Sequence, residues 1–221
     1  MMEAYADISR TSALLDDELR AQIKNVFGKL TEDLEIVAVV DGGEEKSREL
    51  LSLLFDVETL GEHVSVTVCE KGTNAKAEAD FDAEGRTPAM GLYKAGAFTG
   101  VAFYGVPGGK EMNSFVLGCY NAAGPGQPVE KWTEKKLAKL KKDSDLKVFV
   151  SLACHHCAAT VIGAQHLAAL SPKLTATMID ANLYPDLVEK YKIERVPMVV
   201  INDEKTLLGE KSMKDLAAIL E

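Results

Sequence analysis

The chain has 221 residues, 47% of them hydrophobic and 27% charged, with a formal net charge of −9. This is the balance of a globular protein, and the excess of carboxylates works against nucleic acid, whose phosphates call for basic patches. No run of 18 apolar residues is present to span a bilayer, and the N-terminal stretch MMEAYADISRTSALLDDELR carries acids where a signal peptide needs a basic flank and an apolar core; the expectation is a cytoplasmic protein that engages neither membrane nor nucleic acid.

Leu19, Ile23, Val26 and Phe27 recur at helical spacing and predict a helix over about Asp16–Leu30. LEIVAVVD (Leu34–Asp41) then predicts a strand, EEKSRELLSLLFDVETL a helix, and HVSVTVCE a second strand. After Thr87-Pro88 come strands near Ala89–Lys94 and Gly100–Phe103, close enough to pair as a hairpin, and a helix at about Lys110–Ala123. Strands alternating with helices predict a layered α/β unit.

AAGPGQPVE (Ala122–Glu130) holds two prolines and two glycines in nine residues, which breaks any regular element. It reads as a short connector, 124–129, between a unit at 1–123 and another at 130–221. The second unit repeats the first. A helix over Glu130–Lys142 leads into the strand DLKVFVSL; Cys154-His155-His156-Cys157 opens a helix; the strand KLTATMID follows, then a helix from Pro185, Val196-Pro197, the strands MVVIND and KTLLGE, and a last helix at Ser212–Leu220. Pro88 and Pro197 stand 109 residues apart, Lys29 and Lys139 110 apart. Two separated landmarks that keep nearly one offset indicate a tandem duplication.

Four cysteines in 221 residues are too few for a secreted disulfide scaffold, and a close pair in a reducing compartment reads as metal-binding or catalytic. Cys69, in an alternating strand, and Cys119, on a helix face with Met112, Phe115 and Val116, read as buried small hydrophobes. The pair at 154 and 157 is different. It follows a β-branched strand and starts a helix, where unpaired N–H groups and the helix dipole favour a thiolate. The spacing leaves Cys154 exposed as nucleophile and sets Cys157 one turn in as resolving thiol. His155 and His156 add charge when protonated and a proton relay when neutral. Two other readings stay open. Zinc wants four ligands, and one cysteine pair with two adjoining histidines and a distant His166 supplies them poorly; a permanent structural disulfide is the other.

A cysteine pair at a strand-to-helix junction, followed 40 residues later by Val196-Pro197 and a hairpin, resembles the thioredoxin fold, in which a cis-proline loop lies against the cysteines. The matching turn of the first half, Asp41-Gly42-Gly43-Glu44-Glu45-Lys46, has no cysteine. Two such folds, the first lacking the cysteine pair and the second with Cys-His-x-Cys, resemble the N-terminal domain of the flavoprotein subunit of alkyl hydroperoxide reductase. The segments FYGVPGGKEMNSFVLG (Phe103–Gly118), SLACHHC and IERVPMVVIND carry the likeness, which covers essentially the whole chain.

The resemblance implies a dithiol–disulfide oxidoreductase. It would pass electrons from a flavoprotein of thioredoxin-reductase type to a peroxiredoxin, with Glu111 as an acid–base group near the cysteines and Pro197 in the cis-proline loop. No G-x-G-x-x-G opens a strand–helix unit. The reductase is therefore expected to be a separate protein, or the chain an excised domain, with no cofactor bound beyond a redox-active Cys154–Cys157 disulfide. The runner-up is a general protein disulfide oxidoreductase or isomerase, and a zinc-binding module is third. Glutaredoxin-like protein disulfide oxidoreductases share the length but usually carry cysteines in both halves.

Overall fold

Asp16 starts the first helix by accepting a hydrogen bond from the Leu19 amide on Oδ1 at 2.8 Å, satisfying one of the unpaired first-turn donors. In the computed structural model, which describes residues 5–221, that helix, α1 (Asp17–Phe27), buries Ile23 and Phe27. Strand β1 (Leu34–Val40) is apolar at every position but the half-buried Glu35, because both its faces are covered. It pairs in parallel with β2 (Val64–Glu70) across the crossover helix α2 (Glu45–Glu58). On its other side it pairs antiparallel with β3 (Ala89–Lys94), which forms a hairpin with β4 (Ala97–Tyr104). A short helix after β2, α3 (Ala75–Asp80), capped by Asn74, was not expected: AKAEAD is too short to show a periodic face. Helix α4 (Met112–Ala123) closes the half, and its Phe115 packs edge-on against Phe103 with ring centres 5.7 Å apart.

The second half follows the same order: α5 (Lys131–Leu137), β5 (Ser144–Val150), α6 (Cys157–Leu170), β6 (Leu174–Asp180), α7 (Pro185–Lys190), β7 (Met198–Ile201), β8 (Lys205–Leu208) and α8 (Met213–Ile219). The expected helix over Glu130–Lys142 stops at Leu137. There the chain tightens through Lys139 N to Lys136 O and Leu140 N to Leu137 O, so that Leu140 turns into the core.

All eight strands form one sheet in the order β2-β1-β3-β4-β6-β5-β7-β8. The joint is the parallel pair β4–β6, from Val101↔Ala176 to Tyr104↔Ile179. Gly100 makes it possible. Its φ is +82°, and a side chain there would strike the Leu174 carbonyl. Above the joint α4 packs on α6, and Gln165 of α6 donates to the Ala102 carbonyl of β4 at 3.1 Å. One hydrophobic layer, including Leu50, Leu54, Phe103, Phe115, Val161 and Leu167, runs through both halves. The N-terminal segment is tied down by Asp56 of α2, which accepts from the Ser12 amide and from Arg20 Nη2, both at 2.8 Å. Among the described residues, no helix is long and apolar enough to cross a membrane.

Candidate active site

The C-terminal ends of β5 and β6, the loop after β4 and the loop before β7 meet at one end of the sheet. Beyond β5 the chain turns through Ser151 to Ala153, with the Cys154 amide donating to Ser151 O at 2.9 Å. Cys154 is half-buried and Cys157 fully buried. They are joined in a disulfide, their Cα atoms 5.6 Å apart. The helix does not open at Cys154 as the spacing suggested; Cys157 is its first residue and His156 its N-cap. His156 makes no side-chain cap, so the first-turn amides of α6 stay available to a Cys154 thiolate once the disulfide is reduced.

His155 is exposed. His156 is exposed too, and its Nδ1 lies 2.8 Å from Glu210 Oε2 in the link between β8 and α8. The Val196-Pro197 bond is cis. Phe149 of β5 pairs with Met198 of β7, so Pro197 stands one rung further along, at the cysteine end of the sheet. Its carbonyl accepts from Gly209 N at 2.9 Å.

Glu111 reaches this end of the sheet from the other half. It closes a 3₁₀ turn, Gly109–Glu111, that packs against α6. The turn is stapled to the cysteine loop: Lys110 N donates to Leu152 O at 3.0 Å, and Gly109, at φ +54°, comes so near that a Cβ would lie 2.7 Å from that same oxygen. Glu111 is fully buried. Its Oε2 accepts from Ser114 Oγ at 2.6 Å, and its Oε1 has no partner. Burial pushes its pKa up from 4.5 to about 7; the Ser114 hydrogen bond pulls the other way, and the charge of Asp180, at the end of β6, adds to the rise. A buried carboxyl that titrates near neutrality can take up and release a proton at ordinary pH.

The first half keeps the scaffold and fills the site differently. Strands β1 and β5, β2 and β6, and helices α3 and α7 all keep an offset of 110 residues, which sets Glu44 at the place of Cys154 and Ser47 at that of Cys157. Glu44 Oε2 accepts from Ser47 Oγ at 3.1 Å and from Thr87 Oγ1 at 2.7 Å, beside a cis Thr87-Pro88 bond. A carboxylate and two hydroxyls stand where the other half has thiols. Ser47 escaped notice in the sequence, although the repeat offset points to it; so did Asp180 and the part played by Ser114.

Cys69 and Cys119 are buried free thiols, and burial pushes the Cys119 thiol well above its usual range. His166 is buried in α6, and burial lowers its proton affinity. Among the described residues, no three His, Cys, Asp or Glu side chains are grouped to hold a metal. A groove of about 420 Å³ over Lys147, Thr177 and Asp203 shares no residue with the disulfide site.

Residues 144–221 match the family model of a thioredoxin domain. The solved NTD_N/C domain of the Enterococcus faecalis alkylhydroperoxide reductase AhpF is 34% identical, with a TM-score of 0.88 over 94% of this chain and 100% of that one. A protein disulfide oxidoreductase from Aeropyrum pernix, at 19% identity and a TM-score of 0.82 over 93% of this chain and 91% of that one, shares the fold. Among curated relatives, the F subunit of Pseudomonas putida alkyl hydroperoxide reductase is 30% identical over 203 residues, 92% of this chain and 36% of its own length. A protein of Bacillus subtilis named NADH dehydrogenase is 29% identical over 205 residues, 93% of this chain and 38% of its own. The chain thus spans less than two fifths of these curated relatives. It belongs to the family of the N-terminal, thioredoxin-like domain of the alkyl hydroperoxide reductase flavoprotein AhpF.

Proposed function

We propose that the chain is a dithiol–disulfide electron carrier of peroxide detoxification, working in the cytoplasm. It would take electrons from a flavoprotein of thioredoxin-reductase type and pass them to the disulfide of a peroxiredoxin. The observation that carries this reading is the Cys154–Cys157 disulfide at the head of α6, with Cys154 half-buried and Cys157 fully buried. The longer relatives named for alkyl hydroperoxide reduction support the choice of donor and acceptor.

In the forward reaction Cys154 thiolate attacks one sulfur of the partner disulfide and expels the other as thiolate, leaving a mixed disulfide. Cys157 gives its proton to the Glu111 carboxylate and attacks Cys154 Sγ. The Cys154–Cys157 bond forms, the mixed disulfide breaks, and the partner leaves as a dithiol once its thiolates are protonated. The pair has then lost two electrons and the partner has gained them. His155 and His156 favour the Cys154 thiolate by their charge when protonated, and the Pro197 loop borders the cleft. We assign the chain two units, 1–123 and 130–221, joined by 124–129; the first supplies Glu111 and no redox cysteine pair of its own.

The test couples the protein to NADH or NADPH, a thioredoxin-reductase-type flavoprotein, a peroxiredoxin and peroxide. Wild type should sustain turnover and Cys154→Ser should lose it; equal turnover by the two would sink the reading.

A further inference from the structure

Ser114 sits one helical turn after Glu111, fully buried, with its hydroxyl oxygen 2.6 Å from Glu111 Oε2 and 2.7 Å from Glu111 O. A hydroxyl has one proton to give and can also accept, so it cannot donate to both oxygens at once. When Glu111 is ionised, Ser114 donates to Oε2. When Glu111 is protonated, Oε2–H donates to Ser114 Oγ, and the serine turns its own proton to the Glu111 carbonyl. Because Oε1 has no partner, this is the one hydrogen bond the buried carboxyl holds among the described residues. We propose that Ser114 is a positioning residue that keeps Glu111 bonded in both protonation states, so that the carboxyl can accept a proton from Cys157 and release it again. The inference rests on the reading of Glu111 as the proton acceptor.

Asp180 is the counterweight. It is 4% exposed, and its Oδ1 is held by the Asn182 amide at 3.0 Å and Asn182 Nδ2 at 3.1 Å. Gly105, on the loop leading to Glu111, lies directly against it. Its negative charge opposes ionisation of Glu111, so Ser114 and Asp180 pull in opposite directions. Lys46 and Tyr184 lie near enough to Asp180 to feel its charge, Lys110 of the turn itself is exposed, and the turn packs on α6, which Cys157 heads.

The experiment follows the Glu111 carboxyl directly, by carbon-13 NMR titration of glutamate-labelled, oxidised protein, with the signal assigned by its loss in Glu111→Gln. Ser114→Ala should raise the titration midpoint by about one pH unit, because the hydroxyl bonds the anion more strongly than the neutral acid and its loss costs the anion more. Ser114→Thr, which keeps a hydroxyl, should restore it, and Asp180→Asn should lower it. In single turnover, release of a chromogenic thiol from a mixed disulfide on Cys154 should slow about fivefold at pH 7 in Ser114→Ala and recover at higher pH. An unchanged or lowered midpoint in Ser114→Ala, or opposite movement of midpoint and release profile, overturns the inference. Either result leaves the cysteine chemistry standing if Cys154→Ser remains inactive.

Discussion

Glu111→Gln offers the sharpest check on the electrostatics of the site. The carboxyl titrates near 4.5 when exposed and at about 7 in the fold, so the native state holds its proton more tightly than the unfolded chain does. Each tenfold gain in proton affinity is worth about 1.4 kcal/mol, which makes the coupling about 3 kcal/mol. The sign follows from proton counting. Below 4.5 both states are protonated and the stabilisation is complete. Between 4.5 and 7 the native state carries the extra proton, so stability falls with each step up in pH; above 7 the contribution is gone and the buried charge remains. The substituted glutamine keeps the shape and cannot ionise. Urea unfolding of the oxidised proteins should therefore show wild type losing about 3 kcal/mol relative to the variant between about pH 4 and pH 8. Parallel pH profiles would falsify the argument, since all other titrating groups are shared.

Further outcomes follow from single contacts. Gly109→Ala forces an alanine into left-handed backbone against Leu152 O and loosens the Lys110–Leu152 hydrogen bond. It should cost about 2–3 kcal/mol, read as a lowered urea midpoint; an unchanged midpoint would show that the turn is not stapled as described. Asp56→Ala leaves Arg20 and the Ser12 amide without their buried acceptor and should destabilise by about 3 kcal/mol, whereas a loss under about 0.5 kcal/mol would mean that the pair acts as an ordinary surface contact. Glu44→Cys with Ser47→Cys should form a second disulfide on mild oxidation. Thiol titration of the unfolded protein would then still find two free cysteines, as in wild type; four would mean that the first-half turn no longer has the geometry of its counterpart.

The repeat was legible because rigid landmarks kept their spacing, and the strands were legible because runs such as Leu34–Val40 and Ser144–Val150 are buried on both faces. The end of α5 was not legible. Lys139, Lys141 and Lys142 suit a helix as well as they suit solvent, and the chain turns because Leu140 finds a place in the core. The cysteine pair could be read from its spacing, while Glu111 is singled out through the segment Phe103–Gly118 that carries the family likeness. The hydroxyl shared between Ser114 and Glu111, the buried Asp180, and the closure of Glu44 by Ser47 and Thr87 could not be read, since each depends on where a side chain comes to rest. Thr87 and Glu44 are 43 residues apart, and the turn that ends in Glu111 meets the cysteine loop through Lys110 and Leu152, on opposite sides of the connector.

The continuous sheet has a consequence for any attempt to dissect the molecule. The segment that matches a thioredoxin domain, 144–221, contains both sulfurs of the disulfide. Taken alone, it would leave β6 with a bare row of amides where β4 had been, an invitation to self-association. It would also lose the Lys110–Leu152 hydrogen bond, and with it the turn that carries Glu111. The smallest piece with a closed sheet edge is therefore larger than the smallest piece that holds the disulfide, and a cut between the halves runs through a hydrogen-bonded strand pair.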